Sequence, residues 1–241
     1  MGHCASKYTT SSQPKINDDE KNQTAAEVLP EESPKVDPAN SYENIIKDSD
    51  SPIDHSSSEL LLSQLHSGVY LNQMKKKYWI EQESGVNCFM IFPREFDISW
   101  GDDKRYWRWY LFDEPGGGGG GVEIAKLIGV SWFQVIGTLD TALLSPKTTY
   151  EIVFIIKLDN EASGWEIPVT LVLELQGAVQ TRKLSFMTKP RAQWFELHVG
   201  DFHTYSDKMG EVKFSIRGYE GAKWKLGAHV QGAIFRPTKQ L

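Results

Sequence analysis

Hydrophobic positions divide the chain into two unlike parts. From about Lys77 to Pro237, short apolar or alternating segments recur, broken by Gly, Pro, Asp and Asn. Cys88–Phe92 is a short apolar run. Phe96, Ile98 and Trp100 alternate with Asp97 and Ser99, and Tyr106–Leu111 is rich in aromatics. Val130–Leu139, Tyr150–Leu158, Ile167–Leu175, Arg182–Phe186, Gln193–Val199, Glu211–Gly218 and His229–Phe235 follow, while Val122–Leu127 reads either as a short turn or as a further strand. Period-two alternation is clearest in Trp194–Val199 and Val212–Arg217, which places one face toward a core and the other toward water or a ligand. About ten strands with little helix predict an all-β domain, an antiparallel β-sandwich or jelly roll.

The first part of the chain lacks this pattern. Ser11–Pro52 is rich in Ser, Asn, Asp, Glu, Lys and Pro, with too few large apolar groups to offset the entropy of ordering a backbone. Residues 1–55 are therefore expected to form a disordered acidic tail. Residues 56–77 read as a helical linker. Ser56 can cap, Glu59 stands three residues on, and Leu61, Leu62, Leu65 and Val69 form an apolar stripe. Lys75–Lys77 read as a solvated helix end rather than an import signal. Residues 78–241 make the β-sandwich domain.

Composition sharpens the division. All eight Trp and all eleven Phe follow residue 70. The first 70 residues hold 12 acidic and 5 basic side chains, and the remainder 20 and 21. The net charge of −6 thus belongs to the tail, and a strongly cationic nucleic-acid binder is not expected. No apolar run reaches the length of a membrane-spanning helix, and two cysteines cannot staple a disulfide-rich fold. The start Met-Gly-His-Cys-Ala-Ser has no export signal, so a cytoplasmic location is expected. It does match the acylation pattern Met-Gly-x-x-x-Ser, with Gly2 as the acceptor amine and Cys4 as a thiol for a second chain. Two chains hold a protein firmly at a membrane where one does so weakly.

Catalytic motifs are not found. There is no Gly-x-Ser-x-Gly elbow, no His-Glu-x-x-His and no calcium-loop spacing. His198 and His203, near Asp201 and Asp207, read as ordinary hydrogen-bonded residues rather than metal ligands. Gly116–Gly121 is not a phosphate loop, because no Lys-Ser/Thr pair follows it, and it reads as a mobile surface insertion. Glu151, Glu174, Glu196 and Glu211 are strand acids without a local motif. The expectation is no enzyme, no metal and no cofactor.

The densest chemistry is Asp97–Trp109. Trp107 and Trp109 share one face of a strand, and a turn over Gly101–Asp103 can bring Trp100 back toward Trp107. An exposed indole can stack on the C–H face of a sugar, and a nearby carboxylate such as Asp102 can accept from a hydroxyl or amide donor. Trp109 is the alternative as an indole supporting the site from beneath.

Around these residues, 78–237 resembles the plant phloem lectin family, phloem protein two, with its Nictaba-related lectin domain. The likeness runs in order through Tyr78-Trp79-Ile80, Ser84–Met90, Ile98–Asp102, Tyr106–Trp109, Val130-Ser131-Trp132, Trp194–Leu197, Gly210-Glu211-Val212, Lys223-Trp224-Lys225 and Gly227–Pro237. The resemblance implies a non-catalytic lectin that binds N-acetylglucosamine oligomers (chitin oligomers) and the cores of N-glycans. It implies occurrence in the phloem and dimerisation, and it makes Trp100, Trp107 and Glu211 sugar-binding residues. The family's next acid has no clean counterpart, since Gly218 stands in that region with Glu220 close by. No F-box is read in residues 1–70. The expected partners are N-acetylglucosamine-containing glycans, a second copy of the chain and, if acylated, a membrane. The rival readings are a phloem structural or interaction protein, RNA-associated, with a weak or lost sugar site, and a β-sandwich hydrolase.

Overall fold

The alternation becomes two facing antiparallel sheets in the computed structural model, which describes residues 42–113, 121–205 and 210–239. Two short helices come first, α1 (Tyr42–Ile46) and α2 (Ser58–Ser67). The strands are β1 (Val69–Leu71), β2 (Lys76–Ile80), β3 (Asn87–Ile91), β4 (Asp97–Ile98), β5 (Trp107–Phe112), β6 (Val122–Leu127) and β7 (Phe133–Asp140). After them come β8 (Thr149–Ser163), β9 (Val169–Leu175), β10 (Ala178–Leu184), β11 (Trp194–His203), β12 (Glu211–Gly218) and β13 (Leu226–Pro237). The sandwich expected from the alternation is the fold observed.

One sheet runs β10-β9-β12-β7-β4. The other is built on β13, the last strand. Along one edge β13 pairs with β6 at His229 and Val230 and with β3 at Ala233–Phe235; along the other it pairs with β8, which carries β11 beyond it. The edge strands β1-β2 extend from β3, and β5 extends from β6.

The two inner faces interleave aromatics. β7 buries Phe133, Val135, Gly137 and Leu139 and turns Gln134, Ile136 and Thr138 outward. Phe214 on β12 stands opposite Gly137, and a Cβ there would lie 2.2 Å from its Cζ. The missing side chain is the space the ring occupies. Phe214 meets Phe154 tilted and Phe235 edge-on, with centroids 5.3 and 5.2 Å away. Each such buried ring contributes about 1.5–3 kcal/mol.

The boundaries drawn on the sequence shift at the N-terminal side. α1 lies inside the stretch expected to be disordered, because Tyr42, Ile45 and Ile46, spaced three and four apart, present one apolar face that packs on the core. The cap of α2 is Ser57, not Ser56: its side chain accepts from Leu60 N–H at 3.1 Å. Only Leu65 of the apolar stripe is buried on the helix. The linker does not run to 77, since β1 and the start of β2 already belong to the sheet. Val122–Leu127 is a strand, paired along its length with β5. Residues 1–41 of the expected tail, with Gly2 and Cys4, lie outside the described residues, as do 114–120 of the glycine insertion.

Candidate functional site

The β4–β5 connection is organised around Trp100. Gly101 N–H donates to Ile98 O (2.8 Å) and Asp103 N–H to Trp100 O (3.0 Å), closing consecutive turns. Trp100 itself has φ 62°, the left-handed region that costs a bulky residue about 1–3 kcal/mol. Its indole is 61% exposed. Most of this large apolar side chain is held outward, in water.

Trp100 does not stand alone. Its ring lies 6.0 Å from that of Tyr106, which lies 6.4 Å from that of Trp224, itself 58% exposed. Tyr106 O accepts from Ile128 and Gly129, and Val130 pairs with Lys225, so the 99–106, 128–132 and 219–226 loops meet at one end of the sandwich. Trp132, 50% exposed, stacks on Tyr219 at 4.3 Å. Gln134 Oε1 accepts from both Trp132 Nε1–H (3.2 Å) and Ser99 Oγ–H (3.3 Å), tying this second pair to the Trp100 turn. The result is a line of indole and phenol rings in which Trp100, Trp132 and Trp224 face solvent, while Tyr106 and Tyr219 are half-buried and the Arg105 guanidinium lies 5.2 Å over the Tyr106 ring.

The residues singled out on the sequence separate into different roles. Trp107 is 1% exposed. It donates to Ser99 O (3.1 Å), stacks on Phe133 and anchors the turn from inside, so it offers no platform to a sugar. Trp109 is half-buried and donates to Gly101 O (2.9 Å), while the Arg94 guanidinium covers its ring at 3.7 Å. It supports the turn and is not a free stacking face. Asp102 is exposed on the turn beside Trp100. Asp103 is already committed: hydrogen bonds from Arg105 hold its carboxyl below the usual range. Glu211 is exposed but distant. It pairs with Asp140 at the start of β12, whereas Trp100 adjoins Gln134, opposite Arg217 near the strand's other end. Six residues of extended chain span about 20 Å, so the fold does not bring Glu211 to the indoles.

Gly218 is buried beside the aromatic end. A Cβ there would lie 3.3 Å from Lys225 Cε, Phe133 Cδ1 and Val169 Cγ1, and Glu220 is turned away to Lys183. An acidic side chain at this position would have to push the Lys225 stem aside and press on Phe133 and Val169.

Three of the four strand acids are committed as ion-pair members. Arg236 bridges Glu151 and Glu196, and Arg217 holds Glu174. The hydrogen bond from Arg236 lowers the Glu196 pKa, the reverse of what a proton-donating glycosidase acid needs. Glu151, His198 and Asp201 approach closely enough to share an ion, but Arg236 on Glu151 and Arg182 at 3.3 Å from His198 Nδ1 supply cations to the same group. His203 bonds Thr149 instead. Cys88 is buried, and burial pushes its thiol up to about 12.

Sequence reasoning missed Tyr106, Trp132, Tyr219 and Trp224 as site residues. Strand parity carries no information in loops. The available signal was a large aromatic flanked by polar residues, as in Lys223-Trp224-Lys225 and Ser131-Trp132.

Residues 86–237 match the Phloem protein 2 family over more than half of the chain. The chain belongs to that family. A protein named lectin from Luffa acutangula is 38% identical over 74% of this chain and 84% of its own length. Protein PHLOEM PROTEIN 2-LIKE A1 of Arabidopsis thaliana is 37% identical over 88% and 86%. A lectin of Coccinia grandis is 33% identical over 58% and 88%. Family membership agrees with the reading of a non-catalytic domain of the carbohydrate-binding kind. Among solved structures, the CBM22-1 xylan-binding domain of Paenibacillus barcinonensis Xyn10C overlaps with a TM-score of 0.36 at 13% identity, over 62% of this chain and 90% of that one, too loosely to bear on the site.

Proposed function

We propose that this Phloem protein 2 domain binds N-acetylglucosamine oligomers and N-glycan cores along the strip Trp100–Tyr106–Trp224, without breaking a bond. The supporting observation is the strained, exposed Trp100 standing in line with two further rings. Trp100 stacks on one pyranose, Trp224 or Trp132 takes the next, and Asp102 accepts a hydroxyl or acetamide N–H. Flat stacking on an exposed strip gives modest affinity per site, and a homodimer would raise it on multivalent glycans. The relatives' names support action in the phloem, and the cytoplasm of sieve elements or companion cells is the proposed location. Acylation at Gly2 and Cys4 would add a membrane-bound pool.

Calorimetric titration of chitotriose into the full chain tests the reading. Wild type is expected to bind, Trp100→Ala and Trp224→Ala to lose most of the affinity with the fold intact, and Glu211→Gln to behave as wild type. Absence of wild-type binding would favour the interaction-protein alternative.

A further inference from the structure

The outer face of the β13 sheet carries a second constellation far from the aromatic strip in character. Register places one residue from each of five adjacent strands in a single row. Arg108 on β5 stands opposite Lys126 on β6, Lys126 opposite His229 on β13, His229 opposite Lys157 on β8, and Lys157 opposite Trp194 on β11. Directly opposed residues share a face, so all five side chains point to the same side of the sheet, with His229 buried among them. Three are cations. Neighbouring strands lie about 4.8 Å apart, so Arg108 to Lys157 spans about 14 Å.

The row is built rather than incidental. His229 is buried, and its two ring nitrogens are both used. Nδ1 lies 2.6 Å from Tyr110 Oη and Nε2 lies 2.8 Å from Asp159 Oδ1. Burial pushes the imidazole pKa down against the pull of Asp159, and burial pushes Tyr110 up to about 12. The neutral ring therefore accepts from the Tyr110 hydroxyl and donates to Asp159, a tautomer assigned by its partners. Asp159 also takes Lys126 at 2.8 Å. Lys157 holds its ammonium 4.8 Å over the Trp194 ring. Arg108 is exposed without a partner among the described residues. Beside the row on the same face lies an apolar cluster that includes Ile124 and Ile155.

Asp159 serves both Lys126 and His229, and the next carboxylate on this face, Glu196, is taken by Arg236. Among the described residues, Arg108 and Lys157 have no carboxylate partner. We propose that this row is a second binding site, for an acidic oligosaccharide whose carboxylates meet Arg108 and Lys157, with Lys126, already held by Asp159, between them. The choice of a saccharide among anions rests on the reading given under Proposed function. Single-stranded nucleic acid is the poorer fit. It is gripped chiefly by stacking on open aromatic faces, whereas the Trp194 face is covered by Lys157 and the Tyr110 hydroxyl is consumed by His229.

The test titrates trigalacturonate into the full chain at low and at physiological salt, with neutral trigalactose and chitotriose alongside. Trigalacturonate is expected to bind, to weaken with salt, and to lose about tenfold or more in the double variant Arg108→Gln/Lys157→Gln, one charge-assisted contact being lost at each position. Arg108→Glu is expected to abolish binding, and Trp100→Ala to leave it unchanged. No trigalacturonate binding, binding equal to that of trigalactose, or binding indifferent to the double variant would overturn the proposal. So would a single-stranded RNA decamer that binds more tightly and is lost in the same variant. Chitotriose separates the two ideas. If it binds through Trp100 while trigalacturonate does not bind, only this proposal fails. If it does not bind at all, the reading of the aromatic strip fails, and trigalacturonate held by Arg108 and Lys157 would still establish this row.

Discussion

Trp100 and Trp107 stand seven residues apart on one turn and one strand, and the fold uses them in opposite ways. Trp107 sits under the turn, sealed between the sheets, with its indole N–H satisfied by Ser99 O. Trp100 sits on top of it, at left-handed φ, with most of its ring in water. The first contributes stability and offers no surface. The second offers surface and costs stability. Together they make a device in which a buried indole holds the loop that displays an exposed one. Identity of residue type says nothing about which role is taken; position relative to the sandwich interior does.

The largest expected effect breaks the buried half. Trp107→Ala should destabilise the domain by about 3–5 kcal/mol in urea denaturation, since it opens a cavity against Phe133 and orphans Ser99 O. A loss no greater than that of Trp100→Ala would refute the assignment of Trp107 to the core. Next in size is Gly218→Glu, which should lower stability by about 1–3 kcal/mol through overpacking against Phe133 and Val169, with no gain in chitotriose affinity. Tighter binding in this variant would show that an acid does belong there. Trp100→Gly should go the other way, raising stability by about 1 kcal/mol as the left-handed strain is relieved, while removing chitotriose binding. Stability and binding moving in the same direction would contradict the division of labour.

A smaller effect concerns pH and the outer face. His229 has a folded pKa lowered by burial, so below its unfolded value near 6.5 the unfolded chain takes up a proton that the folded one resists. For Asp159, burial acts to raise the pKa, but hydrogen bonds from Lys126 and His229 outweigh it and the net shift is downward. Both signs agree. The stabilisation is complete near neutrality and declines as pH falls, first below the unfolded histidine value and further as Asp159 protonates. Thermal melts from pH 7 to pH 4 should show a steeper loss in wild type than in His229→Gln. Parallel profiles would mean that His229 is not the titrating group. The smallest effect expected is that of Glu211→Gln, with unchanged melting and unchanged affinity, because Glu211 lies at the far end of β12.

Much of the fold is legible in the sequence. Alternation along β7, β11 and β12 marked the inner faces, and the Gly101–Asp103 turn was visible from residue type. α1 escaped notice because three apolar residues in a polar stretch carry almost no periodic signal. Their value lies in the core they reach, not in their own segment. The site was half legible. The turn around Trp100 was found, but Trp107 and Glu211 were assigned to the sugar by resemblance, and Trp132 and Trp224 were passed over. Distance along β12 is invisible in a list of matching residues.

Local patterning decided which segments are strands, where they turn and that the aromatics gather in the second part of the chain, because burial on a pleated strand follows a period of two. The tertiary structure alone decided which indoles face water and which cations share a face. Those facts depend on the partner opposite each strand and on loops meeting at one end of the sandwich. His229 acquires Tyr110 and Asp159, and Lys126 acquires Arg108 on one side and His229 on the other, only once β5, β6, β13 and β8 lie side by side. Long-range pairing writes that arrangement, and no window of the sequence contains it.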